Sequence, residues 1–186
     1  MRLHSKSLVM VPNIKSSTIT IDPKVQVIDN FLDSYRFKQL QSCIFDQHFD
    51  WYYLDGINGD DNPRGSYQFG HGFVVNDSII DSTNFPLISS VCNSLGCNKL
   101  NRIKVNLNPR TIFHRNGGYH LDAPDSLFMK VAILYINTNN GWTNIKGHGK
   151  VKCVANRLVK FHSSMSHAGY SCTDEKRKVV LNINYE

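Results

Sequence analysis

The sequence has no long apolar run. Its first seventeen residues, MRLHSKSLVMVPNIKSS, contain only the four-residue stretch LVMV, where a secretory leader needs about seven apolar residues and a membrane span about 18 to 20. The expectation is a soluble protein without a membrane segment, working in the cytoplasm, or in a host's cytoplasm if the source is viral. Cysteine is scarce and unpaired in pattern: five residues, at 43, 92, 97, 153 and 172, with no CxxC motif. That excludes a disulfide framework and a zinc ribbon and leaves reduced, structural thiols. Internal repeats and low-complexity linkers are also missing. Residues 1–186 are therefore read as one domain, long enough for a single sizeable core.

Acidic residues are in short supply, 15 against 21 Lys and Arg, for a formal charge of +6. Such a balance admits a nucleic-acid partner, but the basic residues are scattered except for Lys176, Arg177 and Lys178. Asn (19) and Ile (15) are heavily used, as suits an AT-rich genome such as a virus's or a streamlined bacterium's.

What is present changes in character along the chain. Residues 18–28, TITIDPKVQVI, alternate apolar and polar around a proline that confines them to an edge or to two short strands. Asp33 can cap a helix over about 34–47, where Phe37, Leu40 and Ile44 recur at helical spacing. The Gly-, Asp- and Asn-rich residues 55–72 read as one long loop, a substrate-side lid. A second helix is expected over about 85–95, with Leu87, Ile88, Val91 and Leu95 on one side and Gly96 at its end. From residue 102 the period changes to two: RIKVNLN, MKVAILYIN, VKCVANRLVKF and RKVVLNINY read as strands of a sandwich or barrel buttressed by helices.

The chemistry begins at GYHLDA, residues 118–123. In an extended segment His120 and Asp122 project from one face and Leu121 from the other, so an imidazole and a carboxylate converge. A second His from another strand would complete a 2-His-1-carboxylate facial triad, which leaves metal positions open for a co-substrate and oxygen. His167, 45 positions after Asp122 and just before the last strand, is the first candidate, and His162 is its rival. Arg177 shares a strand face with Val179, Leu181 and Ile183, the more uniformly apolar face and hence the expected interior one. An arginine aimed inward costs several kcal/mol unless an anion meets it, and a carboxylate matches its planar fork. Tyr135 shares parity with Val131 and Ile133 and should also point inward. Asn106, with Asn108, is expected to reach the site from the first barrel strand.

The order HLD, LYIN, NGWT, VANRLVKF, SHAG and then Arg177 resembles the core of the 2-oxoglutarate and iron(II)-dependent oxygenases, and within them the prolyl-4-hydroxylase-like group with its small bacterial and viral members. The resemblance covers about residues 102–186, and the first hundred residues carry no motif of it. It implies a mainly β (α+β) fold, a double-stranded β-helix of the jelly-roll or cupin-like kind, with residues 1–101 as N-terminal support whose helices pack on one sheet. By resemblance His120, Asp122 and His167 correspond to the Fe(II) ligands, His167 being favoured over His162 by its ten-residue offset to Arg177. Arg177 corresponds to the residue that pairs with the distal carboxylate of 2-oxoglutarate; Tyr135 matches a tyrosine that contacts the same carboxylate, and Asn106 is a further co-substrate contact.

The implied activity is hydroxylation of a C-H bond with O2, as 2-oxoglutarate is decarboxylated to succinate, with ascorbate in support. A peptidyl proline or other peptide residue is the first expected substrate, and a free amino acid or other small molecule the next. Oxidation or demethylation of a nucleic-acid base, and a non-catalytic cupin-like binding protein, are the alternatives. Two departures from the family pattern stand out. Gly141-Trp142-Thr143 puts a bulky ring where relatives commonly have a second glycine, and Arg177-Lys178-Val179 lacks the serine of Arg-x-Ser. NINYE lacks the second arginine usual in nucleic-acid demethylases, which counts against that alternative.

Overall fold

The computed structural model describes residues 24–57, 66–122 and 126–186. Eleven strands and two helices follow one another as β1 (Gln26–Ile28), α1 (Ser34–Ile44), β2 (Tyr52–Leu54), β3 (Gln68–Val75), β4 (Ser78–Ile79), α2 (Phe85–Leu95), β5 (Leu100–Pro109), β6 (Lys130–Tyr135), β7 (Trp142–Ile145), β8 (Gly149–Lys152), β9 (Leu158–His162), β10 (His167–Tyr170) and β11 (Arg177–Tyr185). A large antiparallel sheet has the order β1-β9-β6-β11-β5-β3-β2, with β4 paired to β3, and a small sheet has the order β10-β7-β8. This is the expected double-stranded β-helix, mostly β with two helices. Among the described residues no helix is long and apolar enough to cross a membrane.

Both helices form where local chemistry favours them. Asp33 caps α1 by accepting from the Arg36 amide at 3.0 Å, and Phe37, Leu40 and Ile44 make its buried stripe. Pro86 suits the first turn of α2, and Gly96 ends it in the left-handed conformation at φ 69°.

The large sheet is covered on both faces, and strand parity sorts its residues between them. On one face Ile103, Val105, Ala132, Leu134, Val179, Leu181 and Ile183 pack with the helix stripes into the main core. On the other, Val131, Ile133, Tyr135, Val159, Phe161 and Val180 meet Ile145 and Val151 of the small sheet. Beyond this second cluster the space between the sheets is lined by polar side chains.

The structure corrects several expectations. The loop expected over 55–72 ends in β3, whose glycines disguise a strand; residues 58–65, and 18–23 of the first expected strand, lie outside the described residues. VKCVANRLVKF is two strands, since Asn156 turns the chain at φ 62° while its amide holds Leu32 N at 2.9 Å and Leu32 O at 2.7 Å. Strands β1 to β4 join the large sheet, so residues before 102 build the sheet as well as buttress it.

Arg177 does not point between the sheets. It lies on the helix side with its guanidinium over the Phe45 ring, 4.4 Å from the centroid, and Lys178 takes the inter-sheet face. The uniformly apolar face of β11 is interior, as reasoned, but the interior it serves is the helix-packed core.

Leu181 is fully buried on β11 in that core. Leu181→Ala is expected to cost about 2 to 5 kcal/mol, read as a lowered urea midpoint. An effect below about 1 kcal/mol would mean that this face is not the packed one.

Candidate metal centre

Backbone pairing brings the two histidines together. Residues 116–120 run antiparallel to β10, bridged at Asn116–Tyr170 and His120–His167. His120 N donates to His167 O at 3.0 Å and His167 N to His120 O at 3.1 Å, so both rings leave one directly opposed, hydrogen-bonded pair. Their ring centroids are 4.3 Å apart. Asp122, two residues on, returns to the same face. One ligand atom from each of His120, Asp122 and His167 lies within 4.8 Å of the other two.

The surrounding bonds orient each group. His120 Nδ1 donates to Gly118 O at 3.3 Å and His167 Nδ1 to Met165 O at 3.2 Å. A carbonyl can only accept, so each Nδ1 carries the proton and each Nε2 keeps a lone pair for a metal. Asp122 Oδ1 accepts from Arg102 Nη2 at 2.9 Å, while Oδ2 stands 3.8 Å from His167 Nε2. The carboxylate thus has one oxygen steered by Arg102 and the other left for the shared point. His162, the rival ligand, is engaged with Ser164 Oγ and Leu127 O, at 2.7 and 3.1 Å, and is outside the cluster.

The triad opens on a cavity of about 380 Å³ between the sheets, whose lining includes Lys104, Asn106, Asn108, Thr143, Lys178 and Asn182. Asn106 and Asn108 reach it from β5 as anticipated, and Asn106 Oδ1 is buried with no hydrogen-bond partner. Tyr135 does point between the sheets, but it is not in the cavity lining. Its hydroxyl donates to Val151 O at 3.4 Å and bonds Thr143, so it supports the wall from behind; burial pushes its pKa up.

Lys178 is the group that sequence reasoning missed. The residue is 3% exposed, and its ammonium donates to Trp142 O at 2.9 Å and Tyr170 O at 3.0 Å, tying the large sheet to the end of the small one. No described carboxylate forms an ion pair with it, and burial lowers its pKa. An ammonium has three donors, and two are used. A buried charge in this position calls for an anion from the cavity. Two imidazoles and a carboxylate, with a buried ammonium that no described carboxylate pairs in the same cavity, therefore fit iron(II) and a dicarboxylate. Arg102 was missed too, since nothing local marks a strand arginine as the partner of a carboxylate twenty positions away.

No family model matches the sequence, and no curated protein matches it in sequence. Solved structures do resemble it in fold. A 2OG-Fe(II) oxygenase family oxidoreductase from Burkholderia pseudomallei aligns with TM-score 0.67 at 8% identity, over 87% of this chain and 84% of that one. A prolyl-4-hydroxylase from Pseudomonas putida gives 0.59 at 15%, over 87% and 92%. A prolyl hydroxylase from Trichoplax adhaerens, in complex with a hypoxia inducible factor oxygen degradation domain peptide fragment, gives 0.58 at 15%, over 88% and 84%. The fold is that of the 2-oxoglutarate and iron(II) oxygenases. Within that class the structures it resembles include the prolyl-4-hydroxylases.

Burial, and after it the neighbouring His120, lower the His167 pKa from 6.5 to about 4. A folded-state pKa below the unfolded one means that the unfolded chain binds the extra proton first, so stability is complete above about 6.5 and is lost as pH falls toward 4. Metal-free protein should show a falling Tm across that window, followed by circular dichroism, and His167→Asn should flatten the slope. An unchanged slope in the variant would assign it to other groups.

Proposed function

We propose that the protein is a 2-oxoglutarate- and iron(II)-dependent dioxygenase that hydroxylates a peptide residue, with a peptidyl proline as the leading target. The observation that carries this reading is the pairing of the His120, Asp122 and His167 cluster with a buried, carboxylate-free Lys178 in one cavity. His120, Asp122 and His167 would hold the iron, and Lys178 rather than Arg177 would receive the distal carboxylate of the co-substrate. When bound, iron with 2-oxoglutarate and oxygen supplies oxidative decarboxylation to succinate, coupled to oxidation of a substrate C-H bond.

The chain's own residues do the positioning. Gly118 O and Met165 O fix the imidazole tautomers, Arg102 fixes the carboxylate, and Lys178 with Thr143 and Asn106 orients an anion between the sheets. Ile133 and Val180 supply apolar lining to the cavity and would limit water beside the reacting centre. The peptide target is supported by a groove of about 990 Å³ that meets the cavity at His120, Asn108 and Gly169, at the upper end of ligand-site volumes and open to an extended chain. It is supported also by the peptide complex of the Trichoplax structure.

Succinate release from 2-oxoglutarate, with iron and ascorbate present, tests the class. His167→Ala should abolish it, and undiminished turnover in that variant would remove the ligand assignment. Losing a charge-assisted bond worth about 1.5 to 3 kcal/mol, Lys178→Met should raise the KM for 2-oxoglutarate roughly 10- to 150-fold. Arg177→Met should leave that KM within about twofold, because its guanidinium sits on Phe45. The reverse ranking would restore Arg177 as the co-substrate residue.

A further inference from the structure

The groove outside His120 has a charge that the oxygenase chemistry does not use. Arg110 and Arg115 line it, both exposed, and neither guanidinium has an ion-pair or hydrogen-bond partner among the described residues. No acidic side chain of the described residues lines it. Four acids elsewhere are paired: Asp29 with Arg157, Asp33 with Arg36, Asp77 with Lys99 and Asp81 with His71.

The positive field continues into the cavity. Lys104 is half-buried there with no hydrogen-bond or ion-pair partner among the described residues, and Asp122, the one described carboxylate of the cavity, is shared with Arg102. Along the small sheet, Lys146 lies 5.1 Å over the Tyr119 ring and Lys150 lies 3.9 Å over that of Trp142. Metal and co-substrate do not balance this set. The distal carboxylate of 2-oxoglutarate would meet Lys178 and the other, with Asp122, would offset the metal's charge, which leaves Lys104, Arg110 and Arg115 to be met by substrate.

We propose that the groove takes an extended peptide whose acidic side chains flank the residue presented at His120; this rests on the peptide-hydroxylase reading above. A peptide suits the groove better than a nucleic-acid strand, because each groove tyrosine already has a neighbour on its ring. Tyr67 stacks on Tyr53 at 5.7 Å, Tyr170 on Trp142 at 4.5 Å, and Tyr119 carries Lys146. Stacking platforms for bases are thus partly taken, whereas two free guanidinium forks remain for carboxylates.

The test is fluorescence anisotropy of the full chain with labelled proline-containing peptides of equal length, one rich in Glu, one in Ser and one in Lys, beside a single-stranded dT oligonucleotide. The Glu peptide should bind about tenfold tighter than the Ser peptide and lose that margin in high salt. Arg110→Glu with Arg115→Glu should reverse the order in favour of the Lys peptide, with circular dichroism showing that the variant is folded. Equal affinity for Glu and Ser peptides would overturn the proposal, and so would tighter binding of dT that the same variant abolishes. Succinate release is measured alongside, with and without the peptides. Its absence in every case would sink the oxygenase reading, and its presence with indifferent peptide binding would sink the acidic-substrate inference alone.

Discussion

Strand β11 runs through the middle of the large sheet between β5 and β6, so both of its faces are covered and each residue must suit one of two interiors. Its odd positions, Val179, Leu181 and Ile183, fill a core closed by α1 and α2. Its even positions, Lys178, Val180 and Asn182, line the inter-sheet cavity. Since a one-residue slip exchanges the two sets, the alternation binds stability and function to one register. A slip would place an ammonium against Leu40 and Ile44 and three aliphatic side chains in the cavity, losing on both faces.

The same constraint explains why the polar cavity can persist in a protein of this size. The helix-side core is built almost wholly of Val, Ile, Leu and Phe, and it needs nothing from the site. The inter-sheet space is then free to keep unbalanced groups: Lys178 without a carboxylate, and Asn106 Oδ1 without a donor. Such groups cost on the order of 1 to 3 kcal/mol each when unsatisfied. Their concentration in one cavity beside three metal-type ligands is a pattern that a stability-driven interior would not accumulate.

Much of this was legible in the sequence, for physical reasons that can be named. Both helices were, because capping and 3.6-residue spacing are local properties: Asp33 with Phe37, Leu40 and Ile44, then Gly96 closing the second. The clustering of His120, Asp122 and His167 was legible because HxD in extended chain puts two side chains on one face by parity alone, and the family-like spacing to the last strand pointed to His167. What could not be read were quantities set by tertiary partners. The strand Gln68–Val75 hides behind two glycines, and Asn156 breaks an apparently continuous strand because its side chain is committed to Leu32. Arg102 meets Asp122 only after the chain has folded.

The placement of Arg177 on the helix side, against the expected one, has a more general cause. Apolar parity marks a buried face, but a sheet packed on both sides has two buried faces, and only one of them holds the site. The discriminating signal was already present in the neighbouring residues. Lys178, Asn182 and Asn184 share a face with Val180, and polar residues persisting at alternate positions of a central strand cannot be a solvent face there. Of these Lys178 and Asn182 line the interior cavity, and a lysine placed there must expect an anion. The mixed face of a doubly covered strand, rather than the clean one, is thus where the co-substrate residue should be sought. Applied to β5 the rule selects Arg102, Lys104, Asn106 and Asn108, all four of which line the cavity, and leaves Ile103 and Val105 to the helices.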